Sequence, residues 1–108
     1  MPTKNITIPH EVKNYLNQGK RRLVDITVDA DYTLLLTFDD GERRLYHLAN
    51  KLTGVLTVLK NERKFNEVFI DSLGNIAWDI NNDVDSEVVY TNRIDLSADN
   101  AYIYGVKI

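Results

Sequence analysis

Residues 23–48 read LVDITVDADYTLLLTFDDGERRLYHL, and this stretch decides the fold. Its first part alternates apolar and polar residues, and its middle part, residues 32–38, is apolar and β-branched. Asp40-Gly41 then offers the positive φ angle that a tight hairpin turn needs before the last part returns. The stretch therefore predicts three successive antiparallel strands, onto which the rest of the chain packs.

The length and composition fit one domain that spans residues 1–108. The chain has 108 residues, of which 44% are hydrophobic, so it can bury most of its apolar surface without a disulfide or a structural metal. It contains no cysteine, which excludes thiolate nucleophiles, cysteine-bound zinc and disulfides. The N-terminal residues lack the features of a signal peptide, and no stretch approaches the roughly 18 apolar residues of a membrane span. We therefore expect a cytoplasmic protein with no membrane partner.

Charge is distributed unevenly along the chain. The net charge is −3, which argues against nucleic-acid binding by this domain alone, because phosphate contacts need clustered Lys and Arg. Residues 1–70 carry 11 basic and 9 acidic side chains, whereas residues 71–108 carry 2 basic and 7 acidic ones. The C-terminal third is therefore predicted to form an acidic surface.

Helical signals occur both before and after the predicted strands. A proline and a glycine punctuate an N-terminal segment with apolar residues at helical spacing, which predicts a helix over residues 9–18, followed by a basic hinge at residues 20–22. The apolar run 55–59 predicts a helical turn. Asn61 is expected to cap a second turn in which Phe65 faces inward.

The remaining segments predict a second hairpin and a final strand. Residues 67–71 and 75–79 are strand-like and are separated by a short linker that ends with Gly74. Ser97 is expected to cap a one-turn helix, and residues 101–108 alternate in the manner of an edge strand. The fold class is thus predicted to be α+β, with a small antiparallel sheet of about four to six strands, an N-terminal helix and short helical turns.

No catalytic constellation is recognisable in the sequence. His10 and His47 lie far apart and have no metal-ligand spacing, and no serine lies in a nucleophile-elbow motif. The glycines are too scattered for a phosphate-binding loop, and each has a turn or a helix end to explain it. We therefore expect no enzyme activity, no cofactor and no metal site.

One cluster of oxygen-bearing side chains leaves a ligand-binding alternative open. Residues 79–83 carry Asp, Asn and Asp at alternate positions, which matches the first three ligand positions of an EF-hand calcium loop. The match then fails, because Val84 replaces the required Gly and Tyr90 replaces the required Glu. The neighbouring Trp78 is interpreted first as a packing residue. In the alternative, a groove for a small ligand or a cation is lined by Trp78, Asp79, Asn81 and Asp83.

Three segments of the chain together resemble one known family. The run from Tyr32 through Asp40-Gly41-Glu and on to Arg-Leu-Tyr-His-Leu is similar to a strand, turn and strand of that family, with His47 where Asp is usual. Gly74-Asn-Ile-Ala-Trp resembles its second hairpin, and residues 90–102 resemble its C-terminal end. The family is the bacterial domain-of-unknown-function family numbered 2442. The resemblance implies a small α+β domain, sometimes joined to a helix-turn-helix or encoded beside small toxin-like proteins, and it supplies no catalytic residues.

The function predicted from these observations is that of a non-catalytic interaction or regulatory module. Its expected partner is a small basic protein, because complementary charge promotes association, and the resemblance adds that the partner is toxin-like. The exposed edges of a small sheet would also allow a homodimer. The predicted partner-binding residues are Asp79, Asp83, Asp85, Glu87 and Asp95.

Overall fold

The computed structural model of the protein describes residues 21–108, and the helix predicted over residues 9–18 lies outside the described residues. The described strands are β1 (Leu23–Asp29), β2 (Thr33–Phe38), β3 (Arg43–His47), β4 (Phe69–Ile70), β5 (Ile76–Asp79), β6 (Arg93–Leu96) and β7 (Val106–Lys107). The described helices are α1 (Glu62–Phe65) and α2 (Ala98–Tyr104), together with the 3-10 helices η1 (Ala49–Lys51), η2 (Gly54–Lys60) and η3 (Tyr90–Asn92).

The three predicted successive strands are confirmed as β1, β2 and β3 of an antiparallel sheet, sheet A, in which β7 completes the order β1-β2-β3-β7. Leu34, Leu36 and Phe38 of β2 are buried and form its inward face. Gly41 in the turn after β2 has a φ angle of +85°, as the Asp-Gly pair predicts. The turn chemistry therefore specifies this hairpin locally.

A β-bulge in β1 decides which of its side chains face the core. Leu23 pairs with Phe38, but the next residue, Val24, has no partner on β2, and pairing resumes one position later. This shift lets Ile26 and Val28 lie opposite buried leucines of β2 and share the inward face with Leu23. The outward face of β1 carries Asp25, Thr27 and Asp29.

A second antiparallel sheet, sheet B, has the order β4-β5-β6. The predicted second hairpin is confirmed as its β4–β5 pair, and Gly74 in the connecting turn has a φ angle of +82°. Trp78 and Ile94 are paired on the buried side of this sheet. The single sheet of four to six strands predicted from the sequence is therefore corrected to two sheets of four and three strands, because β6 pairs with β5 rather than with the first three strands.

Residues 101–108 form the end of a helix and a short strand, rather than the single strand that the sequence predicts. The predicted cap is confirmed, since Ser97 Oγ accepts a hydrogen bond from the Asn100 N–H at 3.2 Å, but the helix continues to Tyr104. Helical spacing of the buried residues outweighs the local alternation here. These buried residues are Ala98, Ala101 and Tyr102.

Trp78 lies in the hydrophobic core that both sheets share, as its interpretation as a packing residue predicts. Its ring is fully buried, 5.8 Å from the ring of Phe65, and its indole N–H donates to the Phe65 carbonyl at 3.0 Å. The predicted cap on α1 is also confirmed, because Asn61 Oδ1 accepts from the N–H groups of Arg63 and Lys64. This cap starts the turn that brings Phe65 into the core.

Candidate functional site

A loop over residues 80–92 connects β5 to β6. Its two ends are joined where the Ile80 N–H donates to the Asn92 carbonyl at 2.8 Å. The Asn92 side chain accepts from the Asn81 N–H at 2.8 Å and donates to the carbonyls of Asn81 and Val84, both at 2.9 Å. One amide side chain therefore satisfies three backbone groups and fixes the first half of the loop.

Arg93 holds the second half of this loop against sheet B. Because Ile94 points into the core, its neighbour Arg93 points to the outward side of β6. The guanidinium contacts Glu87 Oε2 at 3.1 Å, Ser86 Oγ at 3.2 Å and Asp71 Oδ2 at 3.4 Å. The side chains of Arg93 and Asp71 are 8% and 0% exposed, so the loop is anchored on a buried ion pair.

Glu87 ties the loop to the turn between β4 and β5. Its carboxylate accepts hydrogen bonds from the Ser72 hydroxyl at 2.9 Å and from the Ser72 N–H at 3.4 Å. The hydrogen bond from Arg93, and after it those from Ser72, lower the pKa of Glu87 below its usual value. The charged carboxylate is therefore the form that holds the two segments together.

Lys64 of α1 anchors the start of the loop. Its ammonium group donates to the Asp79 carbonyl and to Asn82 Oδ1, both at 2.8 Å, and it pairs with Glu67 at 3.1 Å. Asn82 also donates to Glu67 at 3.0 Å. The hydrogen bonds from Asn82 and then Lys64 lower the pKa of Glu67. The loop is thus held at its start, in its middle and at its end.

The anchored loop presents apolar side chains to solvent within an acidic surround. Val88 is 79% exposed, and Leu73, in the turn between β4 and β5, is 77% exposed. The hydrogen bonds between Ser72 and Glu87 bring these two segments next to each other. We use the name acidic loop face for the exposed apolar side chains and the exposed acidic side chains without an ion pair in the described residues that lie on this loop, on the neighbouring turn and on β6, namely Leu73, Ile80, Asp83, Asp85, Val88, Val89 and Asp95.

The structure divides the five predicted partner-binding residues into two groups. The first group is exposed and forms no ion pair within residues 21–108, and its members are Asp83, Asp85 and Asp95. Glu87 is exposed but already pairs with Arg93. Asp79 is partly buried opposite Arg93, and its Oδ1 atom is buried without a hydrogen-bond partner in the described part of the chain. The free acidic charges on this side therefore belong to the first group.

The structure does not bring together the residues of the ligand-binding alternative. Trp78 and Asp79 are consecutive in β5 and point to opposite faces of sheet B, and Trp78 is buried in the core. Asn81 Oδ1 accepts from the Asp83 N–H at 3.0 Å, so this amide closes a turn. Among the residues that the structure describes, no group of three or more His, Asp or Glu side chains could hold a metal ion.

A groove of about 760 Å³ borders the acidic loop face at Leu73. It lies between the start of β1, the turn between β4 and β5, and the start of α2. Polar groups of its lining are bonded within the fold: Asn75 Oδ1 accepts from the Ala98 N–H at 3.1 Å, and Arg21 pairs with Asp40 at 2.6 Å. The groove therefore adds a concave border to the face.

Sequence reasoning missed the residues that position this face. Arg93 positions the loop through side chains that are distant in the sequence, and Asn92 positions it through backbone groups. No sequence motif predicts contacts of either kind. The signal that was available is Val88-Val89, two apolar residues in an acidic stretch that otherwise reads as loop.

The fold and the acidic loop face show that this chain is a small mixed α/β domain with two antiparallel sheets and an anchored acidic loop. The chain belongs to the family described as protein of unknown function (DUF2442), whose model matches residues 23–100, a range that contains the whole loop. The family resemblance seen in the sequence is thereby confirmed. Searches of curated proteins and of solved structures found no match. No helix within residues 21–108 is long and apolar enough to cross a membrane.

Proposed function

We propose that this chain is a non-catalytic interaction module that binds a small basic protein, of the toxin-like kind, through the acidic loop face. The observation that carries the proposal is the pair of exposed apolar side chains, Val88 and Leu73, on segments that Arg93, Glu87 and Ser72 hold together. A contact of this kind would be a regulatory one, in which the domain covers a surface of its partner.

The apolar part of the face supports this reading. A single exposed valine is ordinary on a protein surface. Val88 and Leu73, however, lie on two separate segments, and these segments are joined by a network that includes the buried ion pair of Asp71 and Arg93. Interfaces typically place apolar anchors inside a polar rim. Because the loop is already fixed, binding would lose little conformational entropy in ordering it.

The acidic side chains of the face suggest that the surface of the partner is positively charged. Asp83 and Asp85 are exposed on the same loop as Val88, Asp95 is exposed on β6, and residues 71–108 as a whole carry 7 acidic against 2 basic side chains. Complementary charges at a rim raise the association rate and disfavour partners of the same sign. The face therefore fits a partner with a basic rim around an apolar spot.

The test is affinity capture from a lysate of the source cells, with the captured proteins identified by mass spectrometry at low and at moderate salt. The variant Asp83→Lys/Asp95→Lys reverses two charges of the face, neither of which accepts a hydrogen bond within the described loop. We expect the native chain to retain a basic protein that salt releases and the variant to lose it, by a factor of about ten or more in affinity.

The matched control is Asp31→Lys/Glu62→Lys, which makes the same change in net charge at two exposed positions away from the acidic loop face. The control should retain the basic partner. If both double variants lose the partner equally, net charge rather than the acidic loop face directs binding. A small ligand in place of a basic protein would also contradict the proposal.

A further inference from the structure

The outward face of sheet A is built as three rows that cross the strands. Each row takes one residue from each neighbouring strand, because paired residues in antiparallel strands point to the same side. The rows are Asp25–Thr37–Arg43, then Thr27–Leu35–Leu45–Val106, then Asp29–Thr33–His47. The two outer rows are polar, and the middle row is largely apolar.

Each outer row carries a carboxylate on β1 and a basic side chain on β3. Asp25 and Arg43 are both exposed, and neither forms an ion pair within the described range 21–108. They lie two strand spacings apart, about 10 Å, with Thr37 between them, which is too far for a direct pair. The face therefore has a negative edge and a positive edge that do not neutralise each other.

The third row repeats this arrangement. Asp29 and His47 are exposed at its two ends, and Thr33 lies between them. The Oγ1 atom of Thr33 is 2.9 Å from His47 Nδ1, which fixes the orientation of the imidazole ring. The other ring nitrogen, Nε2, is thus directed away from this hydrogen bond.

We propose that this face binds a second copy of the chain, face to face, about a twofold axis that runs along β2. Such an axis exchanges β1 and β3 and keeps the rows in register, so β1 of each copy lies on β3 of the other, and β7 lies beyond the overlap. Asp25 then faces Arg43 of the other copy, and Asp29 faces His47, with each contact made twice. Leu35 lies at the centre, against Leu35 of the other copy.

Charge complementarity selects a second copy as the occupant. A partner with a single sign of charge would match one edge of the face and be repelled by the other. The same face rotated about β2 matches both edges, and its leucine row packs on itself. An axis along β2 keeps the strands of the two copies nearly parallel, which falls within the range of up to about 30° that aligned sheets in β-sandwiches adopt.

The size of the face indicates a weak dimer. Only β1, β2 and β3 overlap about this axis, and three strands about 4.8 Å apart and about 20 Å long cover roughly 200–300 Å² in plan, which is below the area of a standard interface on each partner. The inward face of the sheet, by contrast, is fully committed to the core. We therefore expect a reversible dimer that forms at high protein concentration and not a permanent one.

The first test is sedimentation velocity on the full chain from about 10 µM to about 1 mM, a range that brackets weak association. We expect the native chain to pass from monomer to dimer. Asp25→Arg alone and Arg43→Asp alone should each weaken dimerisation about tenfold, because like charges then face each other twice. The combined swap should restore the native affinity to within about threefold.

The second test locates the interface. The chain has no cysteine, so Thr37→Cys places a single thiol beside the axis, and a short bismaleimide should cross-link it into a dimer. Thr91→Cys, exposed on the loop over residues 80–92, is the matched control and should remain monomeric. A chain that stays monomeric at 1 mM, a swap that fails to restore association, or equal cross-linking of both variants would each overturn the proposal. Binding through the acidic loop face is measured separately and does not depend on this result.

Discussion

Arg93 on the outward face of sheet B and Asp25 and Arg43 on the outward face of sheet A differ in whether another segment covers them. On sheet B, Arg93 and the partly buried Asp79 point outward and lie under the loop over residues 80–92, where Arg93 pairs with the buried Asp71. On sheet A, the outward Asp25 and Arg43 are exposed and unpaired in the described part of the chain. Strand alternation alone indicates that a charge points outward. Whether that charge holds the fold together or remains available for a partner depends on what lies above it.

The largest expected effect is the loss of stability when the buried partner of Arg93, Asp71, is removed. Asp71 accepts hydrogen bonds from the N–H groups of Leu73 and Asn75, both at 2.9 Å, and pairs with Arg93. Asp71→Ala removes all three contacts and should lower the free energy of unfolding by about 3 kcal/mol. Urea unfolding followed by the fluorescence of Trp78, the single tryptophan, measures this change.

The matched variant on sheet A replaces the exposed Asp25 by Ala, and the one side-chain hydrogen bond that Asp25 accepts within residues 21–108 comes from Thr27 Oγ1 at 3.5 Å. Its unfolding free energy should stay within about 0.5 kcal/mol of the native value. Equal losses in the two variants would show that the buried pair contributes no more than an exposed carboxylate. The distinction between the two sheets would then fail.

The same contrast explains which parts of the fold the sequence predicts. The first three strands of sheet A follow from local signals, since alternation, β-branched residues and the Asp-Gly turn all lie within one contiguous stretch. The helical turn at Asn61 and the inward Phe65 are also local features, and both predictions are confirmed. Interactions between near neighbours in the chain are thus read correctly from the residues.

Sheet B and its loop could be predicted only in part. Strand β6 is defined by its pairing with β5 across the loop, and its first residue is the charged Arg93, so the local pattern indicates no strand. Of the acidic residues predicted to face a partner, three are exposed and form no ion pair within residues 21–108, whereas the exposed Glu87 pairs with Arg93 and the partly buried Asp79 lies opposite Arg93. Sequence gives the sign of this surface, and only the fold shows which charges are already engaged.

A smaller effect compares the turns of the two sheets. Gly74 in sheet B has a φ angle of +82°, and a Cβ there would meet nothing within 4 Å, so the cost of Gly74→Ala is one of backbone conformation. We expect Gly74→Ala to lower the free energy of unfolding by about 1 kcal/mol.

In sheet A, Asp31 adopts a φ angle of +56° without being glycine, and Asp31→Gly should raise the free energy of unfolding by about 0.5 kcal/mol.

Tyr32 is the control for the turn in sheet A. It has the same φ angle of 56°, but its ring lies 5.2 Å from that of Phe65 and its hydroxyl donates to the Lys60 carbonyl. Tyr32→Gly should therefore destabilise the protein, because lost packing outweighs relieved strain. Thermal unfolding of the variants shows directly whether each substitution stabilises or destabilises the protein. A stabilised Tyr32→Gly variant would show that backbone strain dominates both positions.

The smallest effect is the pH dependence of the loop anchor. The hydrogen bonds from Arg93 and Ser72 lower the pKa of Glu87 in the folded protein below the ordinary value of 4.5, which the unfolded chain retains. The stabilisation from Glu87 is therefore complete above that value and is lost as the pH falls through the lower pKa of the folded state. Glu87→Gln should consequently be less stable than the native chain at neutral pH, and the difference should vanish in acid.

Unfolding in urea at a series of pH values between about 3 and 7 covers the titration of a carboxyl group whose pKa is lowered. Val88→Ala serves as the control, because it alters the same loop without adding or removing a titrating group. Its difference from the native chain should stay constant with pH. A Glu87→Gln difference that is equally constant would mean that the carboxylate charge of Glu87 does not hold the loop, and that the buried pair of Arg93 with Asp71 is the ion pair on this side of sheet B that contributes to stability.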